Sequence, residues 1–245
     1  MENMLLIGMS QQLAMRRQMD IIANNIANMN TTAFKAESVL FEEHLVKTDS
    51  IERPARKLAF VNDVATIRNQ TEGRSSPTGN PLDLAIVGKG FFTVGTADGT
   101  RYTRNGHFML DPEGRLVNGE GNAVLDADGN EITIQPGETG LSIARDGSVS
   151  TTAGPKGRIG LVTFANEADM KKVGTSLYNT TQSPEPTTKA EVIQGTLEQS
   201  NVEPIIEVTK MMELLRNYQE VSSVMQRADD LSRQTIKETG QIPQA

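Results

Sequence analysis

Glycine is spread so unevenly along this chain that it divides the molecule before any other pattern is read. Of 21 glycines in 245 residues, 18 fall between Gly73 and Gly174, and both ends are almost without them. A glycine in a helix interior costs roughly 1 kcal/mol relative to alanine, so long helices are admissible at the ends and disfavoured in the middle. The middle also holds the pairs that tight hairpin turns need: Asp98-Gly99, Asn105-Gly106, Asn118-Gly119, Asp128-Gly129 and Asp146-Gly147. Each supplies residues that tolerate positive φ. Short β-type runs lie between these turns, at 82–87, 91–94, 108–110 and 131–134. Such close spacing leaves no room for βαβ units and reads as an antiparallel meander or small barrel.

The first helix spans about residues 4 to 29 and carries apolar residues in two sets. Met15, Met19, Ile22, Ile26 and Met29 step by 4, 3, 4, 3, which is heptad spacing. Leu6, Met9 and Leu13 point roughly 130° away from that set at 100° per residue. One partner needs one stripe, and two stripes imply two neighbours. The last helix starts near Ser200-Asn201-Val202-Glu203-Pro204, where cap-type residues precede a proline suited to a first turn. Ile205, Val208, Met212, Leu215, Tyr218, Val221, Met225, Ala228 and Leu231 then average below 3.6 residues per step, so this stripe keeps facing a partner only in a left-handed supercoil. The helix is roughly 45–50 Å long at its standard rise per residue. The fold class is therefore α+β: paired, coiled-coil-like N- and C-terminal helices, a Gly-rich antiparallel all-β central domain and an extended connector. The expected divisions are 1–30 for the first helix, 31–75 for the connector, 76–190 for the β domain, and 191–245 for the return connector and last helix.

Composition removes most chemistry. There is no cysteine, so disulfides, thiolate metal sites and a cysteine nucleophile are excluded. The two histidines, His44 and His107, make no metal-binding pattern, and no nearby hydroxyl pairs with them as a nucleophile. A net charge of −7 argues against nucleic acid. No apolar run reaches the ~18 residues of a membrane-spanning helix. Glu2 and the mid-segment Arg16 and Arg17 are unsuited to a cleavable signal peptide. Gly88-Lys89-Gly90 lacks the third glycine of a dinucleotide loop, and Asp126-Ala127-Asp128-Gly129-Asn130 lacks the distal glutamate of a calcium loop; both read as hairpin turns. No catalytic residue, cofactor site, metal site or small-molecule substrate is assigned. An enzyme of the β domain, such as a periplasmic peptidoglycan hydrolase, is the alternative of another class, since paired carboxylates are always available among 31 acidic residues.

Several segments resemble the flagellar axial family, the rod and hook subunits of the bacterial flagellum. Ala23-Asn24-Asn25-Ile26-Ala27-Asn28-Met29-Asn30-Thr31-Thr32-Ala33-Phe34-Lys35 is similar to the family's N-terminal signature, with Ala33 where the family usually has glycine. Gly79-Asn80-Pro81-Leu82-Asp83-Leu84, Gly90-Phe91-Phe92 and Tyr102-Thr103-Arg104-Asn105-Gly106 resemble the start of its β domain. Gly195-Thr196-Leu197-Glu198-Gln199-Ser200-Asn201-Val202 resembles the lead-in to its last helix. Within the family, the length and the segments Asn28-Met29-Asn30, Leu40-Phe41-Glu42-Glu43 and Thr209-Lys210-Met211-Met212 look most like a proximal rod subunit, with a distal rod or hook-type subunit as the alternative. The resemblance implies a structural subunit of the periplasmic drive shaft, exported without cleavage through the flagellar type III apparatus. It also implies partners among other rod subunits and copies of itself. Leu6, Met9 and Leu13 are then expected to touch neighbours, and Met15, Met19, Ile22 and Ile26 to meet the last helix.

Overall fold

The computed structural model describes residues 2–50, 53–187 and 189–240. The chain forms two compact units: Met1–Ala27, Glu37–Arg68 and Glu203–Ala245 make the first, and Asn28–Ala36 with Asn69–Val202 make the second. Together they are α+β, with a helix at each end and β-structure between.

The first unit contains helix α1 (Glu2–Ala27), strands β1 (Glu37–Ser50) and β2 (Arg53–Arg68), and helix α2 (Pro204–Gly240). α2 begins at Pro204, where the missing N–H costs nothing in the first turn. The helices run antiparallel. At one end the Asn25 amide donates to Glu207 Oε2 at 3.0 Å; at the other, Gly8 lies against Met225, and a Cβ added at Gly8 would stand 2.9 Å from Met225 Cγ and Sδ. Glycine is thus what permits close approach here. On α2, Glu207, Met211, Leu214, Tyr218, Val221, Met225 and Ala228 are buried or half-buried and step by 4, 3, 4, 3, 4, 3, with Ser222, Asp229 and Ser232 half-buried beside them.

That face differs from the stripe read from the sequence. Ile205, Val208, Met212 and Leu215 are exposed, whereas Tyr218, Val221, Met225 and Ala228 are half-buried. Each step of three residues falls about 60° short of a full turn, so three such steps from Met212 to Val221 carry the stripe about half-way round the helix. The nine positions therefore occupy two faces.

The connector expectation also changes. Within 31–75, β1 and β2 pair antiparallel from Glu37↔Arg68 to Ser50↔Arg53, with a register shift between Leu40 and Phe41. No Asn-Gly or Asp-Gly pair marks this hairpin. Charge does not mark it either: Glu37 faces Arg68, but Lys47 faces Lys57, and like charges directly opposite disfavour pairing.

The second unit is a nine-stranded antiparallel sheet with smaller two- and three-stranded pairings around it. After the short strands β3 (Ser75–Pro77) and β4 (Leu84–Val87), β5 (Phe91–Thr96) pairs at the centre of the sheet with β6 (Gly99–Thr103) across the Asp98-Gly99 turn. Alternate residues of β5 face opposite sides, as the pleat requires. Phe92 and Val94 enter a core with Leu84, Phe108, Leu116, Val124 and Ile132, while Phe91 joins Tyr102, Phe164, Met170 and Tyr178. Residues 131–134 are not a strand; they make only the bridges Leu125↔Glu131 and Arg115↔Thr133, with Ile132 and Ile134 buried. Gly106 is required by contact, since a Cβ there would sit 1.8 Å from the Leu84 carbonyl oxygen.

Candidate assembly surfaces

In the second unit, three distant parts of the sequence converge on one buried carboxylate. Glu198, at the end of the strand Thr196–Glu198, accepts from Lys35 Nζ at 2.6 Å, from Arg104 Nε at 2.9 Å and from the Gly73 N–H at 2.9 Å. Lys35 also donates to the Thr71 carbonyl at 2.7 Å. Arg104 spreads its remaining donors over the carbonyls of Ile86, Gly88 and Gly90. All three charged side chains are buried. Burial alone would push the Glu198 carboxyl up, but Arg104 and Lys35 hold it below the ordinary glutamate range. Burial lowers the Lys35 ammonium from the ordinary lysine value, with Glu198 opposing that shift.

Around this carboxylate the backbone is pinned from both termini. Asn201 Oδ1 accepts from the Ala36 N–H at 2.7 Å, and Asn201 Nδ2 donates to the carbonyls of Asn69 and Thr71. The Ala33 N–H donates to the Glu198 carbonyl, and the Asn201 N–H to that of Phe34. Ser200 Oγ accepts from the Val202 N–H. Thr31 bonds back to Asn28 through backbone and side chain, Thr32 is half-buried and Phe34 is buried beneath the Lys172 ammonium. Ala33 takes φ = 57°, the left-handed geometry that glycine adopts without strain. Tyr102 is buried in the second aromatic cluster, 4.7 Å from the Phe164 ring centroid. Phe34, Lys35, Arg104 and Asn201, singled out from sequence, thus belong to one local arrangement. Glu198, which joins Lys35 to Arg104, stood in the sequence only as one residue of the segment that resembles the lead-in to the last helix.

In the first unit, Asn25 is buried and makes three hydrogen bonds, donating to the Glu37 carbonyl and Glu207 and accepting from the Glu37 N–H. It ties both helices to the start of β1. Asn24 is exposed beside it. Glu207, also buried, carried no sequence signal beyond its place in the first turn of α2.

The apolar residues proposed for assembly fall into two environments. Ile22 is buried, and Met15, Met19, Ile26, Tyr218, Val221 and Met225 are half-buried. Leu6, Met9, Leu13, Ile205, Val208, Met212 and Leu215 are exposed, Leu13 at 64% and Ile205 at 84%. Met29, in the second unit, is also exposed. Contiguous apolar patches on helices mark interaction surfaces more often than scattered residues do. Among the described residues, no group of three acidic or histidine side chains is arranged to hold a metal, and no helix is long and apolar enough to cross a membrane.

A chain whose helical ends expose apolar faces and whose β unit binds residues 28–36 and 196–202 into itself has the form of an assembly subunit. Family comparisons agree. Residues 5–35 match the flagella basal body rod protein family, 85–151 the flagellar hook protein FlgE/F/G D1 domain, and 193–238 the flagellar basal body rod FlgEFG protein C-terminal family. The chain is 43% identical to the flagellar basal-body rod protein FlgF of Caulobacter vibrioides, over 99% of this chain and 100% of the relative. It is 33% identical to FlgF of Mesorhizobium japonicum over 98% of this chain and 99% of the relative, and 32% identical to FlgG of Bacillus subtilis over 94% and 96%. The chain belongs to the family of flagellar basal-body rod proteins.

Proposed function

We propose that this chain is a structural subunit of the flagellar basal-body rod, of the proximal-rod kind, and not an enzyme. The end-to-end similarity to FlgF proteins carries this reading, since it spans both helices and the β domain together. A rod subunit transmits torque by holding its neighbours at several contacts. The exposed faces of α1 and α2 are suited to contacts with other rod subunits and with copies of itself, and the two helices pair in coiled-coil fashion in the assembled state. The chain reaches the periplasm through the flagellar type III export apparatus without losing a signal peptide.

The test is genetic and biochemical. Cells lacking this chain should be non-motile and should build no complete rod. The tagged chain should copurify with basal bodies and retain its N-terminal residues by mass spectrometry. Normal motility without the chain would refute the rod reading, and a trimmed N-terminus would refute the export route. The distal-rod alternative rests on the lower similarity to FlgG. Basal-body density showing this chain along most of the shaft would select it.

A further inference from the structure

We propose that the exposed face at the start of α2 docks into a groove at the far end of the helix pair of a second copy of this chain. The inference rests on the rod reading and adds to it the residues and the polarity of one contact. The groove has a volume of about 350 Å³ and lies between α1 and α2, lined by Gly8, Gln11, Val221, Val224, Met225 and Ala228. Gly8 contributes no side chain, and Met225 packs against its backbone as part of the groove wall. Val224 is half exposed at its rim, and Leu231, exposed as well, stands two turns beyond it.

The complementary face is Ile205, Val208, Met212 and Leu215, which step by 3, 4, 3 and are all exposed. It extends over about 15 Å of helix, against about 12 Å for the α2 wall of the groove, which runs from Glu220 to Ala228. A methionine at its centre adapts to the contour it meets. Charge fits too. Arg216, one turn after Met212, is exposed beside the face, and Glu220, also exposed, lines the groove.

Position decides the partner. The face lies at the Asn25–Glu207 end of the antiparallel pair, and the groove at the Gly8–Met225 end. Within one chain they cannot meet. Between copies they join unlike surfaces, a heterologous contact that repeats along a series instead of closing at two. The face of Leu6, Met9 and Leu13 lies at the groove end; pairing it with its own counterpart would be isologous and would stop at a dimer.

The absence of cysteine from the chain makes a clean cross-linking test possible. Two differently tagged variants, Met212→Cys and Val224→Cys, are co-expressed in flagellated cells, and purified basal bodies are oxidised. The two sulfurs join only if their Cα atoms approach to about 5.5–6 Å. The expected product is the mixed disulfide without either like-with-like disulfide, and a chain carrying both substitutions should give a ladder of multimers. A second pair, Val208→Cys with Ala228→Cys, probes the same contact should one of the first variants fail to assemble. Rods that contain both tags of either pair but give no mixed disulfide overturn the docking while leaving the rod reading intact. Like-with-like disulfides alone overturn its polarity. Absence of the unsubstituted chain from basal bodies overturns both readings.

Discussion

Glu198 shows what a single residue can do when its partners come from elsewhere in the chain. Its carboxylate is the only anion that Lys35 and Arg104 both contact among the described ion pairs. Breaking a buried pair by removing one partner typically costs about 3–5 kcal/mol, because the other charge stays buried uncompensated. Glu198→Gln is therefore expected to lower the melting temperature of the β domain sharply, as followed by calorimetry. The pH dependence has a definite sign. The carboxyl is held below its unfolded value, so its contribution is fully present above the ordinary glutamate range and is lost as pH falls through the folded value. Lys35 acts in the alkaline window. Its folded value is lowered, so the unfolded chain binds that proton more tightly and stability rises with pH between the two values. Acid titration of thermal stability checks the first limb, and Glu198→Gln should flatten it. Ala33 offers a second test. At φ = 57° an alanine is strained by about 1–2 kcal/mol, but Ala33→Gly also loses a buried methyl worth about 0.8 kcal/mol and adds freedom to the unfolded chain. The change should be close to neutral, whereas Ala33→Val forces a β-branched residue into the same geometry and should destabilise by about 2 kcal/mol or more. Chemical denaturation of both variants separates these outcomes. At this scale the sequence marked Lys35, Arg104 and Asn201 as notable. The partner that Lys35 and Arg104 share was hidden because it lies 94 residues beyond Arg104 and nothing local announces a long-range ion pair.

Elements were legible where pattern and backbone chemistry agree. The Gly-bearing turns located the β5–β6 hairpin, and Pro204 marked the start of α2. The β1–β2 hairpin escaped because it lacks such a turn pair and its residues do not alternate cleanly. The packed face of α2 escaped for a different reason. Its heptad begins at Glu207, a charge that an apolar template rejects but that Asn25 and Lys210 satisfy in the structure. The two faces of α2 predict two kinds of failure. Val221→Lys places an ammonium against α1, where the desolvation of an unpaired charge is costly. It should disrupt the helix pair itself. Met212→Lys alters only an exposed face, so it should leave the β domain folded and the helices as ordered as in the parent subunit, yet abolish rod assembly and motility. Met19→Lys, on the half-buried face of α1, should behave like Val221→Lys. Swimming assays with basal-body purification read the assembly defect, and circular dichroism of the purified variants reads the fold. Motile cells carrying Met212→Lys would show that this face makes no essential contact.

Among the described residues, the buried core is concentrated in the second unit. The second unit buries two clusters that include Phe91, Phe92, Phe108, Phe164 and Tyr178. Each large apolar side chain removed from water contributes about 1.5–3 kcal/mol. In the first unit, the large apolar side chains that are buried among the described residues are Ile21, Ile22 and Leu214. Ordering a backbone residue costs roughly 1–2 kcal/mol, and two helices of 26 and 37 residues must offset that cost through the seam between them and the packing of α1 on β1 and β2. Helices on their own are marginal in water unless tertiary packing supports them. The isolated subunit is therefore expected to keep its β unit folded while α1 and α2 exchange their amide hydrogens rapidly. In the rod, neighbours cover Leu6, Met9, Leu13 and the Ile205 face, and that burial supplies the missing stabilisation. Hydrogen exchange measured on the purified subunit and on intact basal bodies provides the comparison. Helical amides should pass from weak protection in the first to strong protection in the second, while the amides of β5 and β6 stay protected in both. Equal protection of the helices in the two states would mean that the seam suffices by itself, and that assembly adds contacts to a terminal unit already folded.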